Sequence, residues 1–129
     1  MTDEDNALMK DVFGRIRACV PETFADGRFD ETAQLIKVRK EYREALAASE
    51  KLGRSGSRKD EVDYLEEIVD TMTALATLLW AHTRDASSSH RRAAETIEKV
   101  MDMVRIKNEL RGYHDFKEEG EKSEEESRA

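Results

Sequence analysis

The segment Thr71–Ala81, TMTALATLLWA, holds no charge, glycine or proline in a chain of which 40% of residues are charged. Apolar all round and without a breaker, it predicts a helix buried on all sides. That helix is the upper half of a longer one over Asp60–Arg84, whose lower half is charged. At about 100° per residue, Glu67 and Asp70 share a stripe that continues upward as Thr71, Ala74, Leu78 and Ala81. Leu65, Ile68, Met72, Leu75 and Leu79 fill the opposite side. The two acids therefore point along a line that becomes core. A buried bare carboxylate is costly, so the pair needs a counter-charge.

Composition narrows the setting of this helix. A chain of 129 residues supports one domain with a modest core. Six glycines and one proline leave little material for turns, which predicts an all-α class. The expected architecture is a four-to-five-helix bundle around an antiparallel central helix pair, assembled as an oligomer. A formal charge of −7 argues against a nucleic-acid-backbone binder, which needs clustered Lys and Arg. The single Cys19 excludes an intramolecular disulfide. MTDEDNALMK lacks the basic and apolar regions of a secretory leader, and no apolar run reaches the roughly 18 residues of a membrane span. The expectation is a cytoplasmic protein without membrane or nucleic-acid partners.

Taken in order, a first helix is expected from about Ala7 to Val20, led in by Thr2–Asn6 and ended by Pro21. The connector PETFADGRFD carries Phe24 and Phe29 around an Asp26-Gly27 turn signal. A second helix runs from Glu31, capped by Asp30, to about Lys51, with Leu52-Gly53 closing it. The short linker GRSGSR then predicts an antiparallel hairpin with the central helix. A fourth helix is expected from about Ser89 to Leu110, with Gly112 after it. One domain would thus span residues 1–114, and residues 115–129 form an acidic tail expected to be disordered. Cys19 reads as a small apolar filler, and Trp80 as core or subunit interface. Phe24 and Phe29 are the better candidates for a base pocket.

The second helix repeats the acid spacing of the central one. Glu41 and Glu44 stand at i, i+3, and their stripe continues through Ala45, Ala48 and Leu52. Antiparallel neighbours with small residues beside their acids bring Glu41, Glu44, Glu67 and Asp70 toward one cluster. Four close carboxylates raise one another's pKa, so either they bind metal or they face water. An all-oxygen donor set suits Mg²⁺, with Mn²⁺ as the alternative, and such sites usually serve phosphate chemistry. Bundle di-iron sites add Glu-x-x-His motifs, which are missing here. Zinc would want His or Cys, yet His82, His90 and His114 are scattered.

Glu41-Tyr-Arg-Glu44 on one helix, then Glu67-Ile-Val-Asp70 at the head of an apolar helix, resembles the MazG-like branch of the all-α nucleoside triphosphate pyrophosphohydrolases. Lys107-Asn108-Glu-Leu-Arg111-Gly-Tyr113 is similar to that family's closing N-x-x-R segment. The resemblance covers roughly Ala33 to His114. It implies Mg²⁺ or Mn²⁺ held by Glu41, Glu44, Glu67 and Asp70, with Glu41 or Glu44 as the catalytic general base. It further implies phosphate contacts from Lys107, Asn108, Arg111 and Tyr113, a nucleoside triphosphate substrate, and a homodimer or homotetramer. Two departures stand out. Lys40 occupies the place of a leading acid, and Val104 stands where the family commonly has lysine. A helical adaptor module is the alternative from another class, and a nucleotide-binding member without hydrolysis is a third.

Overall fold

The computed structural model describes residues 1–20, 29–87 and 89–112. Those residues form helices α1 (Asp3–Gly14), α2 (Ile16–Cys19), α3 (Glu31–Ser55), α4 (Arg58–Ala86) and α5 (His90–Leu110). There is no strand among them, in line with the all-α expectation. Contacts group the chain into two units, Met1–Ala86 and Ser87–Ala129. The turn expected at Asp26-Gly27, the ring of Phe24, Tyr113 and the acidic tail lie outside the described residues.

In the first unit, α1 begins earlier than expected because Thr2 and Asp5 cap it reciprocally. The Thr2 hydroxyl accepts from the Asp5 backbone N–H at 3.0 Å, and the Asp5 carboxylate accepts from the Thr2 N–H at 3.1 Å. Asp3, Glu4 and Asp5 add favourable charge at the helix N-terminus. The expected single helix to Val20 is broken at Arg15, after Gly14, leaving α2 as one short turn that packs on α4. Glycine weakens a helix interior, so the break falls where the sequence is most permissive.

The α3–α4 hairpin is the principal packing unit. Asp30 caps α3 as expected, its carboxylate accepting from the Ala33 N–H at 3.0 Å. Contrary to the expected stop at Leu52-Gly53, α3 continues through Gly53 to Ser55, and Gly56 takes the left-handed conformation with φ of 61°. The Gly56 N–H donates to the Leu52 carbonyl at 2.8 Å, which closes the helix. Two glycines thus compete for the C-cap, and the one that wins lies beside a polar network. Asp60, only 6% exposed, accepts from the Ser55 hydroxyl and pairs with Lys51 at 3.6 Å, while Ser57 caps the Asp60 N–H at 3.1 Å. The Ser55 hydrogen bond holds the Asp60 carboxyl below the usual aspartate range.

This assignment has opposite consequences for the two glycines. A Cβ at either would meet nothing within 4 Å, so backbone conformation alone decides. Gly53→Ala, inside a helix, raises stability by about 0.5–1 kcal/mol. Gly56→Ala, forced to positive φ, lowers it by about 1–2 kcal/mol. Urea unfolding of the two variants checks both signs.

Pairs along the hairpin run outward from the turn in opposite chain directions: Lys51–Asp60, Gln34–Ala74 and Glu31–His82. The central pair is therefore antiparallel. The Gln34 side-chain amide donates to the Ala74 backbone carbonyl at 3.0 Å, fixing the two helices in register. On α4 the buried face is made of small residues, Ala74, Thr77 and Ala81. Thr71, Thr77 and Thr83 turn their hydroxyls back to carbonyls one turn earlier, at 2.6–2.8 Å, so their polar atoms are satisfied within the helix. The expectation of burial on all sides is corrected here. Leu75 and Leu79 are 48% and 41% exposed and border an apolar cavity with Leu35 of α3. Trp80 is half-buried and lines an apolar cavity of about 450 Å³ with Phe13, Val20 and Met72.

In the second unit, Ser89 caps α5 by accepting from the Arg92 N–H at 3.2 Å. Arg91–Glu95 and Arg105–Glu109 pair along its surface at 3.1 and 3.0 Å. The helix ends at Leu110, followed by Gly112 with φ of 75°.

Candidate metal centre

Register between α3 and α4 decides which acids meet. Glu41 on α3 and Glu67 and Asp70 on α4 each offer one carboxylate oxygen, and these oxygens lie within 4.8 Å of one another. Glu67 and Asp70 share a face at i, i+3, and Glu41 is carried to them by the antiparallel pairing that the Gln34–Ala74 hydrogen bond secures. Glu41 and Glu67 are half-buried, and Asp70 is exposed. Glu44 is close enough for its charge to act on both Glu41 and Glu67. It is exposed and faces Lys40 at 4.0 Å.

The electrostatics of the cluster are unfavourable to its own charge. Burial, followed by the charges of Glu44 and Asp70, holds the Glu41 carboxyl above the usual glutamate range, and Lys37 opposes that shift. Burial and then Glu44, Asp70 and Glu41 raise Glu67 in the same way. One carboxylate oxygen of Glu67, Oε2, is buried and has no hydrogen-bond partner. An unpartnered buried carboxylate oxygen is costly, and a proton or a cation would relieve it. The donors are oxygens alone, from side chains on two rigid helices, which suits a hard divalent ion such as Mg²⁺ or Mn²⁺. The residues present therefore fit the ion that their spacing suggests.

The remaining expected site residues are distributed differently. Lys107 and Arg111 are exposed and Asn108 is half-buried, all at the C-terminal end of α5 in the second unit. Tyr113 lies outside the described residues. Phe29 is half-buried just before the Asp30 cap. Cys19, expected as an apolar filler, is instead an exposed free thiol, because α2 is a single turn and does not carry the residue inward.

A feature not anticipated is a cavity of about 300 Å³ alongside the carboxylates. Lys37, Glu41, Asp70 and Thr73 form part of its wall, and Cys19 lies at another part. The signal was available in the sequence. Lys37 precedes Glu41 by four residues and Thr73 follows Asp70 by three, so both share the acids' helix faces. Comparisons of the chain with protein-family models, with curated proteins and with solved structures give no match.

Proposed function

We propose that this protein is a Mg²⁺-dependent nucleoside triphosphate pyrophosphohydrolase, active also with Mn²⁺, that cleaves a ribo- or deoxynucleoside triphosphate to the monophosphate and pyrophosphate. The observation that carries this reading is the convergence of Glu41, Glu67 and Asp70 from two antiparallel helices, with a buried Glu67 oxygen left unpartnered. The likeness of the E-x-x-E and E-x-x-D segments to MazG-like enzymes supports it.

Under this reading Glu41, Glu67 and Asp70 hold the metal. Bound there, Mg²⁺ supplies electrophilic polarisation of phosphate oxygens and activation of water. Glu44, exposed beside the three ligands, accepts the proton of the attacking water as general base. The water oxygen bonds to the α-phosphorus, the α–β bridging P–O bond breaks, and pyrophosphate departs with the bonding electrons. The half-buried setting of Glu41 and Glu67 holds their carboxylates in place before substrate arrives, which lowers the reorganisation needed during reaction. The phosphate roles of Lys107, Asn108, Arg111 and Tyr113 rest on the family resemblance alone, and the reading of the carboxylates is independent of them.

A helical oligomerisation or adaptor module is the second reading. It draws on Leu65, Val69, Leu75 and Leu79 of α4, which are all exposed, and an apolar helix face of this kind equally suits a homodimer or homotetramer of the enzyme. No helix among the described residues is long and apolar enough to cross a membrane.

Pyrophosphate release from a panel of ribo- and deoxynucleoside triphosphates separates the readings. The expected result is release with Mg²⁺ or Mn²⁺, none with chelator, and none from the Glu44→Gln/Asp70→Asn double variant. An adaptor would show no release from any nucleotide and no change of melting temperature on adding metal.

A further inference from the structure

The cavity beside the carboxylates has a lining that the acids do not explain. Its wall combines Glu41 and Asp70 with Lys37, Gln34, Thr73 and Thr77. Two of these polar groups are already committed. The Gln34 amide donates to the Ala74 carbonyl at 3.0 Å, and the Thr77 hydroxyl donates to the Thr73 carbonyl at 2.8 Å. Lys37 is different. It is exposed and stands one helical turn before Glu41, near enough for its charge to act on the Glu41 carboxyl. An acidic wall alone repels a polyphosphate. A metal ion offsets that repulsion only at the oxygens it touches, and a lysine ammonium serves phosphate as a point charge with three donors. About 300 Å³ is at the small end of ligand pockets, which fits the charged part of a nucleotide better than a whole one.

The geometry points to this cavity as a phosphate pocket, in which the Lys37 ammonium, assisted by the Thr73 hydroxyl, binds a non-reacting phosphate of the triphosphate next to the metal-holding carboxylates. The inference rests on the hydrolase reading above and assigns a binding role, not a catalytic one, to Lys37. It places a substrate contact on α3 itself, on the helix face that also carries Glu41.

Cys19 supplies a direct reporter, because it is the chain's single cysteine, is exposed, and lines the same cavity. The experiment measures the rate at which a thiol reagent labels Cys19 as inorganic tripolyphosphate is added in the presence of Mg²⁺. Each variant is normalised to its own rate without tripolyphosphate, and helical content is checked by circular dichroism. The wild-type chain is expected to be protected. Lys37→Met requires roughly tenfold or more tripolyphosphate for equal protection, while its Mn²⁺ affinity, read by titration without phosphate, changes much less. Lys37→Arg, which keeps the charge, recovers most of the protection. In turnover, Lys37→Met raises KM more than it lowers kcat.

Equal protection of wild type and Lys37→Met would overturn the role of Lys37 and leave the hydrolase reading standing. Metal-dependent pyrophosphate release without protection of Cys19 would overturn the pocket and leave the reaction standing. Neither release nor protection would remove both.

Discussion

If the protein is the proposed hydrolase, Asp70→Asn and Glu67→Gln are each expected to lower metal-dependent pyrophosphate release by about 10²-fold or more, with the helical fold retained. Removing one anionic ligand forfeits several kcal/mol of transition-state stabilisation, and each 1.36 kcal/mol is a factor of ten. At Glu67 the same substitution acts on stability in the other direction. Burial and neighbouring carboxylates already disfavour the charged form of Glu67, and its Oε2 has no hydrogen-bond partner. A neutral amide at that position removes the repulsion and adds donors for the adjacent carboxylates. Glu67→Gln, and for the same reason Glu41→Gln, should therefore melt at a higher temperature than wild type in chelator while losing turnover. Sites that trade stability for activity behave in this way. Unchanged melting together with unchanged turnover would identify these acids as surface charge.

The second large effect expected is a dependence of stability on pH that metal would reverse under the proposed reading. Glu41 and Glu67 titrate above the usual glutamate range in the folded chain. Between the ordinary glutamate pKa, about 4.3, and the raised folded values, the native state keeps protons that the unfolded chain has lost. Stability then falls as pH rises through that window. The contribution is complete below the window and gone above it. Under the proposed reading, metal binding needs the deprotonated carboxylates, so Mg²⁺ or Mn²⁺ affinity should grow over the same interval. At neutral pH, free metal at a hundred times its Kd adds about 2.7 kcal/mol. Thermal melts in chelator and in metal should diverge as pH rises, and curves that stay superimposed would exclude a carboxylate metal site. Asp60 behaves oppositely. Its carboxyl is lowered by the Ser55 hydrogen bond, so its contribution is present above the ordinary aspartate pKa and lost as pH falls through the lowered value. The two effects occupy different pH ranges and can be separated in one titration.

The clustering of the acids is largely legible in the sequence because helical periodicity is a strong signal. The i, i+3 spacings of Glu41/Glu44 and Glu67/Asp70 place each pair on one face, and the short, glycine-containing linker between their helices commits those faces to an antiparallel meeting. Periodicity does not, however, state how far along the pair one helix slides against the other. That offset brings Glu41 to Glu67 and Asp70, with Glu44 also near Glu41 and Glu67 and paired with Lys40. The choice between Gly53 and Gly56 as the end of α3 was likewise not readable from the glycines. It follows from the Ser55, Ser57 and Asp60 hydrogen bonds across the turn.

By itself, then, the amino-acid sequence determined the all-α class, the cap at Asp30, the pairing of α3 with α4, and which helix faces carry acids. These are local properties, set by side-chain spacing and by the hydrogen-bonding capacity of single residues. Tertiary structure alone decided the register of that pairing, which carboxylate oxygens come within 4.8 Å of one another, and the burial of one Glu67 oxygen. It also decided the cavity that joins Lys37, Glu41 and Asp70 to the Cys19 thiol. Those features depend on the distance between helices, which small residues such as Ala74 permit and the Gln34–Ala74 hydrogen bond fixes. The exposure of Leu75 and Leu79 was decided at the same level, because an apolar circumference is buried only where a neighbouring helix covers it.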